Sequence, residues 1–91
     1  MALNQKQRKT LVAIFIDRLR ANISWDDVES LFVALGAEIS EGAGSRVRVY
    51  LNGARAIFHR PHPEKEIGQG MVRSIRNFLA AAGCNPMDLL D

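Results

Sequence analysis

Between Arg46 and His62 the chain reads Arg-Val-Arg-Val-Tyr-Leu-Asn-Gly-Ala-Arg-Ala-Ile-Phe-His-Arg-Pro-His, with side chains suited to phosphate chemistry spaced along it. Arginine forks onto phosphate oxygens, and histidine is the side chain that titrates near neutrality. Two histidines three apart, His59 and His62, also raise the question of a metal. No Cys or Asp lies nearby to complete a ligand set, so no metal site is expected.

The alternation of residues decides which of these side chains share a surface. An Asn-Gly pair between two alternating runs signals a β-hairpin, because a type I′ turn needs positive φ at both central residues. With Asn52 and Gly53 in the turn, counting outward sets the register. Leu51 faces Ala54, Tyr50 faces Arg55, Val49 faces Ala56, Arg48 faces Ile57, Val47 faces Phe58 and Arg46 faces His59. Opposed residues lie on one face of a sheet. One face is then Val47, Val49, Leu51, Ala54, Ala56 and Phe58, an apolar surface for a core. Arg46, Arg48, Tyr50, Arg55, Ile57 and His59 form the other, a basic surface that can read phosphate.

Helices must support this hairpin. From Gln5 to about Arg20, Leu11, Val12, Phe15, Ile16 and Leu19 recur at spacings of three and four, which predicts a helix with a broad apolar side. Ser24 can cap a second helix, with Asp26 and Asp27 at the positive end of its dipole. Trp25, Val28, Leu31, Phe32 and Leu35 form its apolar stripe, and Gly36 suits the left-handed position after its end. Ala37–Glu41 is a short strand, and Glu41 to Gly44 a glycine-bearing loop. The hairpin strands run near Ser45–Leu51 and Ala54–Arg60. Pro61 and Pro63 hold an extended corner around His62. Met71, Val72, Ile75, Phe78, Leu79 and Ala82 predict a helix from Gly70 to Ala82 closed by Gly83, with Arg73, Arg76 and Asn77 on its polar side. Met87, Leu89 and Leu90 leave the tail apolar enough to pack back or to meet a partner.

The predicted architecture is therefore α+β: a three-stranded antiparallel sheet with helices on one face. It is one domain over residues 1–91, with an N-terminal helical extension at 1–23, a core at 24–83 and a tail at 84–91. Helix, three strands and helix is also the order of double-stranded-RNA-binding domains, although a fold alone fixes no function.

Composition sets outer bounds. Ninety-one residues, 47% apolar and 24% charged, suit one modest core. Net charge is only +2, but its distribution is uneven. Six arginines and one lysine stand against two glutamates between Gly44 and Arg76, while carboxylates gather in Asp26–Glu41. Such asymmetry steers polyanions. The single cysteine, Cys84, excludes an internal disulfide and is expected to be a buried, inert thiol. No apolar run approaches the roughly 20 residues that span a bilayer. The first residues lack the apolar region of a signal peptide, so a cytoplasmic protein is expected.

From Trp25 to Gly83 the chain resembles the HicA toxins of bacterial and archaeal toxin–antitoxin modules. Leu35-Gly36-Ala37 closes a helix as in that family, and Gly44-Ser45 resembles the glycine-serine of its glycine-serine-histidine strand start. His62 before Lys65-Glu66-Ile67 is similar to its histidine before lysine-glutamate-leucine. Gly70-Met71-Val72-Arg73-Ser74-Ile75 is similar to its glycine-threonine-leucine-arginine-serine-isoleucine helix. Each motif is short, and their order and spacing together carry the likeness.

The resemblance implies a small ribonuclease that degrades mRNA, folded like a double-stranded-RNA-binding domain and neutralised by a HicB-like antitoxin. The family's catalytic histidine follows the glycine-serine pair, and here that position is Arg46, which stays protonated and cannot act as a base. His59 lies opposite Arg46 in the register, so an imidazole projects from nearly the same patch. In metal-free RNA cleavage a base deprotonates the ribose 2′-hydroxyl, which attacks the adjacent phosphorus, and arginines stabilise charge on the phosphate oxygens. His59 and His62 are thus the candidate catalytic residues. Arg46, Arg48, Tyr50, Arg55 and Arg60 are the candidate RNA contacts, with no cofactor and no metal. Two alternatives stand beside this reading. The histidines could punctuate a proline-rich corner beside a solvated arginine face. The chain could also be a non-catalytic RNA- or protein-binding module that has lost the catalytic histidine.

Overall fold

The computed structural model describes residues 3–16, 23–61 and 66–89. Helix α1 spans Gln5–Phe15 and α2 Trp25–Ala34; strands β1, β2 and β3 span Glu38–Glu41, Arg46–Leu51 and Ala54–His59; helices α3 and α4 span Gln69–Ala81 and Pro86–Leu89. The strands form one antiparallel sheet in the order β1-β2-β3. Helix α2, the sheet and α3 make the α+β arrangement of double-stranded-RNA-binding domains, and α1 is added in front.

Local chemistry sets the ends of the helices. Asn4 accepts from the Gln7 backbone N–H at 2.7 Å, and the Gln7 side chain accepts from the Asn4 N–H at 2.9 Å, a reciprocal cap for α1. Ser24 accepts from the Asp27 N–H at 3.2 Å and caps α2 as predicted. Helices α2 and α3 end alike. Gly36 and Gly83 take φ of 91° and 76°, and the next residues, Ala37 and Cys84, donate their N–H to Phe32 and Leu79.

Helix α1 departs from its predicted extent. It stops at Phe15, because Ile16 turns extended; residues 17–22 lie outside the described set. Its apolar side also differs. Leu11 and Ile14 are fully buried, whereas Val12 and Ile16 are exposed at its edge. Arg76 departs as well, since it is not simply on a polar face. Its guanidinium crosses from α3 and donates to the carbonyls of Ile14 at 2.8 Å and Ile16 at 3.3 Å, satisfying acceptors left open at the end of α1. Lys6 of α1 pairs with Asp27 of α2 at 3.2 Å, fixing the other end.

The hydrophobic core lies between these helices and the inner sheet face. Phe32, Phe58 and Phe78 meet with ring centroids 5.6–5.9 Å apart, and Trp25 joins at 6.1 Å from Phe58. Edge-to-face and offset pairs of this kind add roughly 0.5–1.5 kcal/mol each beyond area burial. Val47, Val49 and Leu51 complete the inner face of β2. Cys84 is buried beside this core, and burial pushes its thiol pKa up, which suits an inert side chain. The segment before α3 is held beside the segment before α2, where Ile67 donates its N–H to the Ile23 carbonyl at 2.9 Å.

Candidate functional site

The hairpin carries the candidate residues, and its register is the one the Asn-Gly turn predicts, pair for pair from Leu51↔Ala54 to Arg46↔His59. Asn52 and Gly53 take φ of 50° and 86°. The Asn52 amide also donates to the Ala82 carbonyl at 3.0 Å, tying the turn to the end of α3. Because β2 alternates strictly between exposed and buried residues, Arg46, Arg48 and Tyr50 stand on the sheet face that, among the described residues, no helix covers. Arg55, Ile57 and His59 join them from β3.

Strand β1 adds to this face two residues that were missing from the sequence-based set. Glu38 lies opposite Tyr50 and Ser40 opposite Arg48. Their signal was Ile39: an apolar residue turned to the core between two polar neighbours turned away. Three rows result. Gly42 adjoins Arg46 and His59, Ser40 adjoins Arg48 and Ile57, and Glu38 adjoins Tyr50 and Arg55. A shallow groove runs over the last two rows, from Glu38 and Ser40 to Arg55 and Ile57.

The first row is where phosphate chemistry fits best. A Cβ at Gly42 would sit 3.4 Å from the Arg46 Cβ and 3.7 Å from an Arg48 Nη2. The Arg48 guanidinium therefore reaches Gly42, in the row of Arg46. His59 is exposed directly across from Arg46. Two arginines and a histidine at neighbouring positions of one open face can hold a phosphodiester and take a proton from a group next to it. In the third row the Arg55 guanidinium carbon lies 5.4 Å from the centroid of the Tyr50 ring, a cation–π pair.

Arg60 does not join the other candidates. It follows His59 in the alternation and so faces the other side, where its guanidinium binds Glu41 at 3.0 Å and approaches Glu29 of α2 at 4.0 Å. Its backbone N–H donates to Ser45 at 2.8 Å, closing the sheet beside Arg46. His62 lies outside the described residues. Among the described residues, no group of three His, Cys, Asp or Glu side chains is placed to hold a metal ion.

Residues 25–84 match the family described as the HicA toxin of bacterial toxin–antitoxin. Neither a curated protein nor a solved structure matches the chain. The matched segment opens at the first residue of α2 and closes just after α3, so it holds the whole sheet, both of its supporting helices and the basic face. It is more than half of the chain. The chain therefore belongs to the HicA family and is the toxin of a toxin–antitoxin pair, with a cognate antitoxin as its partner.

Proposed function

We propose that this toxin binds mRNA on the open sheet face and cleaves it, with His59 as the base and Arg46 and Arg48 holding the scissile phosphate. The observation that carries this reading is the Arg46–His59 pair. His59 stands across the strand from the position where the family has its histidine, and the Arg48 guanidinium reaches Gly42 in the same row. His59 takes the proton of a ribose 2′-hydroxyl, and the freed oxygen attacks the adjacent phosphorus. The bond to the 5′-oxygen breaks, that oxygen leaves with a proton from water, and a 2′,3′-cyclic phosphate remains. The arginines offset the negative charge that grows on the non-bridging oxygens. His62 is the second candidate in this chemistry. Tyr50 and Arg55 extend the RNA-binding surface along the groove. Arg60 contributes least, because two carboxylates already engage it.

A HicB-like antitoxin would inhibit by covering the Arg46–His59 face with acidic or aromatic side chains, and complementary charge would speed its association. An mRNA substrate implies action in the cytoplasm. Among the described residues, no helix is long and apolar enough to cross a membrane.

The test is His59→Ala, assayed for cleavage of mRNA by the purified chain and for growth arrest on induction. Removing a general base should lower cleavage by about 10²–10⁴-fold, with folding and antitoxin binding intact. Full cleavage by the variant removes His59 from the mechanism. One observation favours a second reading: Arg46 stands where the family has its base. A wild type that binds RNA without cleaving it would make the chain a binding module, with Arg46 as a phosphate ligand.

A further inference from the structure

Glu38 is hard to reconcile with a surface that only holds phosphates. Among the described residues it is the one carboxylate on the open face, and two arginines are near it in the register, Arg55 in its own row and Arg48 in the next. It makes no ion pair with either of them. A free carboxylate there repels a phosphate backbone, so it weakens general RNA binding unless it meets a donor. Its neighbours suggest which donor. Tyr50 lies directly across from it, about two-fifths exposed, with Arg55 against the ring. Ile57 is three-fifths exposed in the same groove. An exposed aromatic ring, an exposed aliphatic side chain and a guanidinium plane in one shallow groove suit an unpaired base, because every base offers a flat face to stack. The paired edge of a duplex is closed to such a platform.

We propose that Glu38, Tyr50 and Ile57 form a base-binding subsite for single-stranded RNA, and that Glu38 makes it select guanine. Of the common bases, guanine presents two adjacent donors on its Watson–Crick edge, N1–H and the N2 amino group, and a carboxylate accepts both side by side. Cytosine and adenine each offer one amino donor beside a ring acceptor, which a carboxylate repels. Uracil offers one donor between two carbonyls. Tyr50 lies four residues along β2 from Arg46, about 13 Å at ~3.3 Å per residue. The selected base therefore sits a short run of nucleotides from the phosphate held at Arg46. This inference rests on the RNA-binding reading above and adds to it the strandedness and base preference of the substrate.

The test uses short single-stranded oligonucleotides made uncleavable by 2′-O-methylation. Each carries one guanine, inosine, adenine or cytosine in a uridine background, and binding is measured by fluorescence anisotropy at one fixed salt concentration. The wild type should prefer guanine over inosine, which lacks the N2 amino group, by about tenfold, as for one charge-assisted hydrogen bond. In Glu38→Gln the amide can pair with O6 and N1–H of either base, so that preference should vanish while affinity for oligouridine holds or rises. Tyr50→Ala should weaken every oligonucleotide by at least about fivefold through the loss of stacking. A fully paired RNA of the same length should compete poorly. All three side chains are exposed, so the variants should keep the wild-type thermal midpoint. RNA binding without a guanine preference, or a preference that survives Glu38→Gln, overturns this subsite and leaves the proposed function standing. No binding to any RNA overturns both. Variants that change affinity for the antitoxin alone would make the groove a protein-docking surface and overturn the subsite.

Discussion

The two faces of the sheet are built from the same strands, one residue apart, and they obey different rules. On the inner face each side chain is held by several others. Phe58 touches Trp25, Phe32 and Phe78, and Val47 and Val49 are almost without exposure. On the outer face the only paired side chains among the described residues are Tyr50 and Arg55, and Ile57 is exposed. Folding requires the first face. Nothing in folding requires the composition of the second, so its arginines, tyrosine and histidine need an explanation outside stability. Substitutions should therefore separate cleanly, with stability lost on one side and function on the other.

The largest expected effect is on the inner face. Phe32→Ala removes the ring that meets Trp25, Phe58 and Phe78 together and should cost about 3–5 kcal/mol. That is a large part of the roughly 5–15 kcal/mol that holds a small domain folded. Urea unfolding measures it, and a loss below about 1 kcal/mol would mean that the aromatic cluster is not the centre of the core. On the outer face, Arg46→Glu with Arg48→Glu should cost about 1.5–3 kcal/mol of RNA affinity for each charge-assisted hydrogen bond removed. The dependence of affinity on salt should flatten by about 0.7 per phosphate released. The unfolding midpoint should hardly move, since exposed substitutions usually stay within about 0.5 kcal/mol. An unchanged salt dependence would show that these arginines do not hold phosphates.

The smallest of these effects belongs to the turn, where the two faces share one determinant. Gly53→Val places a β-branched residue at φ 86° and should cost about 1–3 kcal/mol. Because the turn sets the register, the variant should lose RNA affinity as well, although position 53 is on neither face. Amide exchange would find the hairpin loosened. A variant with wild-type exchange and affinity would show that the register is held from elsewhere.

What could be read from the sequence follows from how local each determinant is. The hairpin was legible residue by residue, because an Asn-Gly turn and a strict alternation carry the register within fourteen positions. Helix α2 was legible from Ser24 at one end and Gly36 at the other. The side chain of Arg76 was not, because its partners are the carbonyls of Ile14 and Ile16, about sixty residues away. The ion pair of Arg60 was not legible either, because its partner Glu41 is set by the pairing of β1, which a single isoleucine marked only weakly. Glu38 and Ser40 escaped for the same reason. The exposed edge at Val12 and Ile16 shows the limit of periodicity: a helix that is apolar on several sides does not declare which side is buried. Helix α4 is a single turn, too short for any period to show.

Arg76 also dictates an order of events during synthesis. The hairpin can form as soon as its own residues have emerged, since its pairings are close in sequence. Helix α1 leaves the ribosome first and can meet α2 early through Lys6 and Asp27, yet its last carbonyls wait for a guanidinium that arrives about sixty residues later. Interactions of such long sequence separation form late, after the entropy of closing the chain has been overcome. The nascent toxin thus displays its basic hairpin before its core is sealed, and the end of α1 is satisfied only when α3 is free. A partner that recognises the hairpin could engage the chain while it is still being translated.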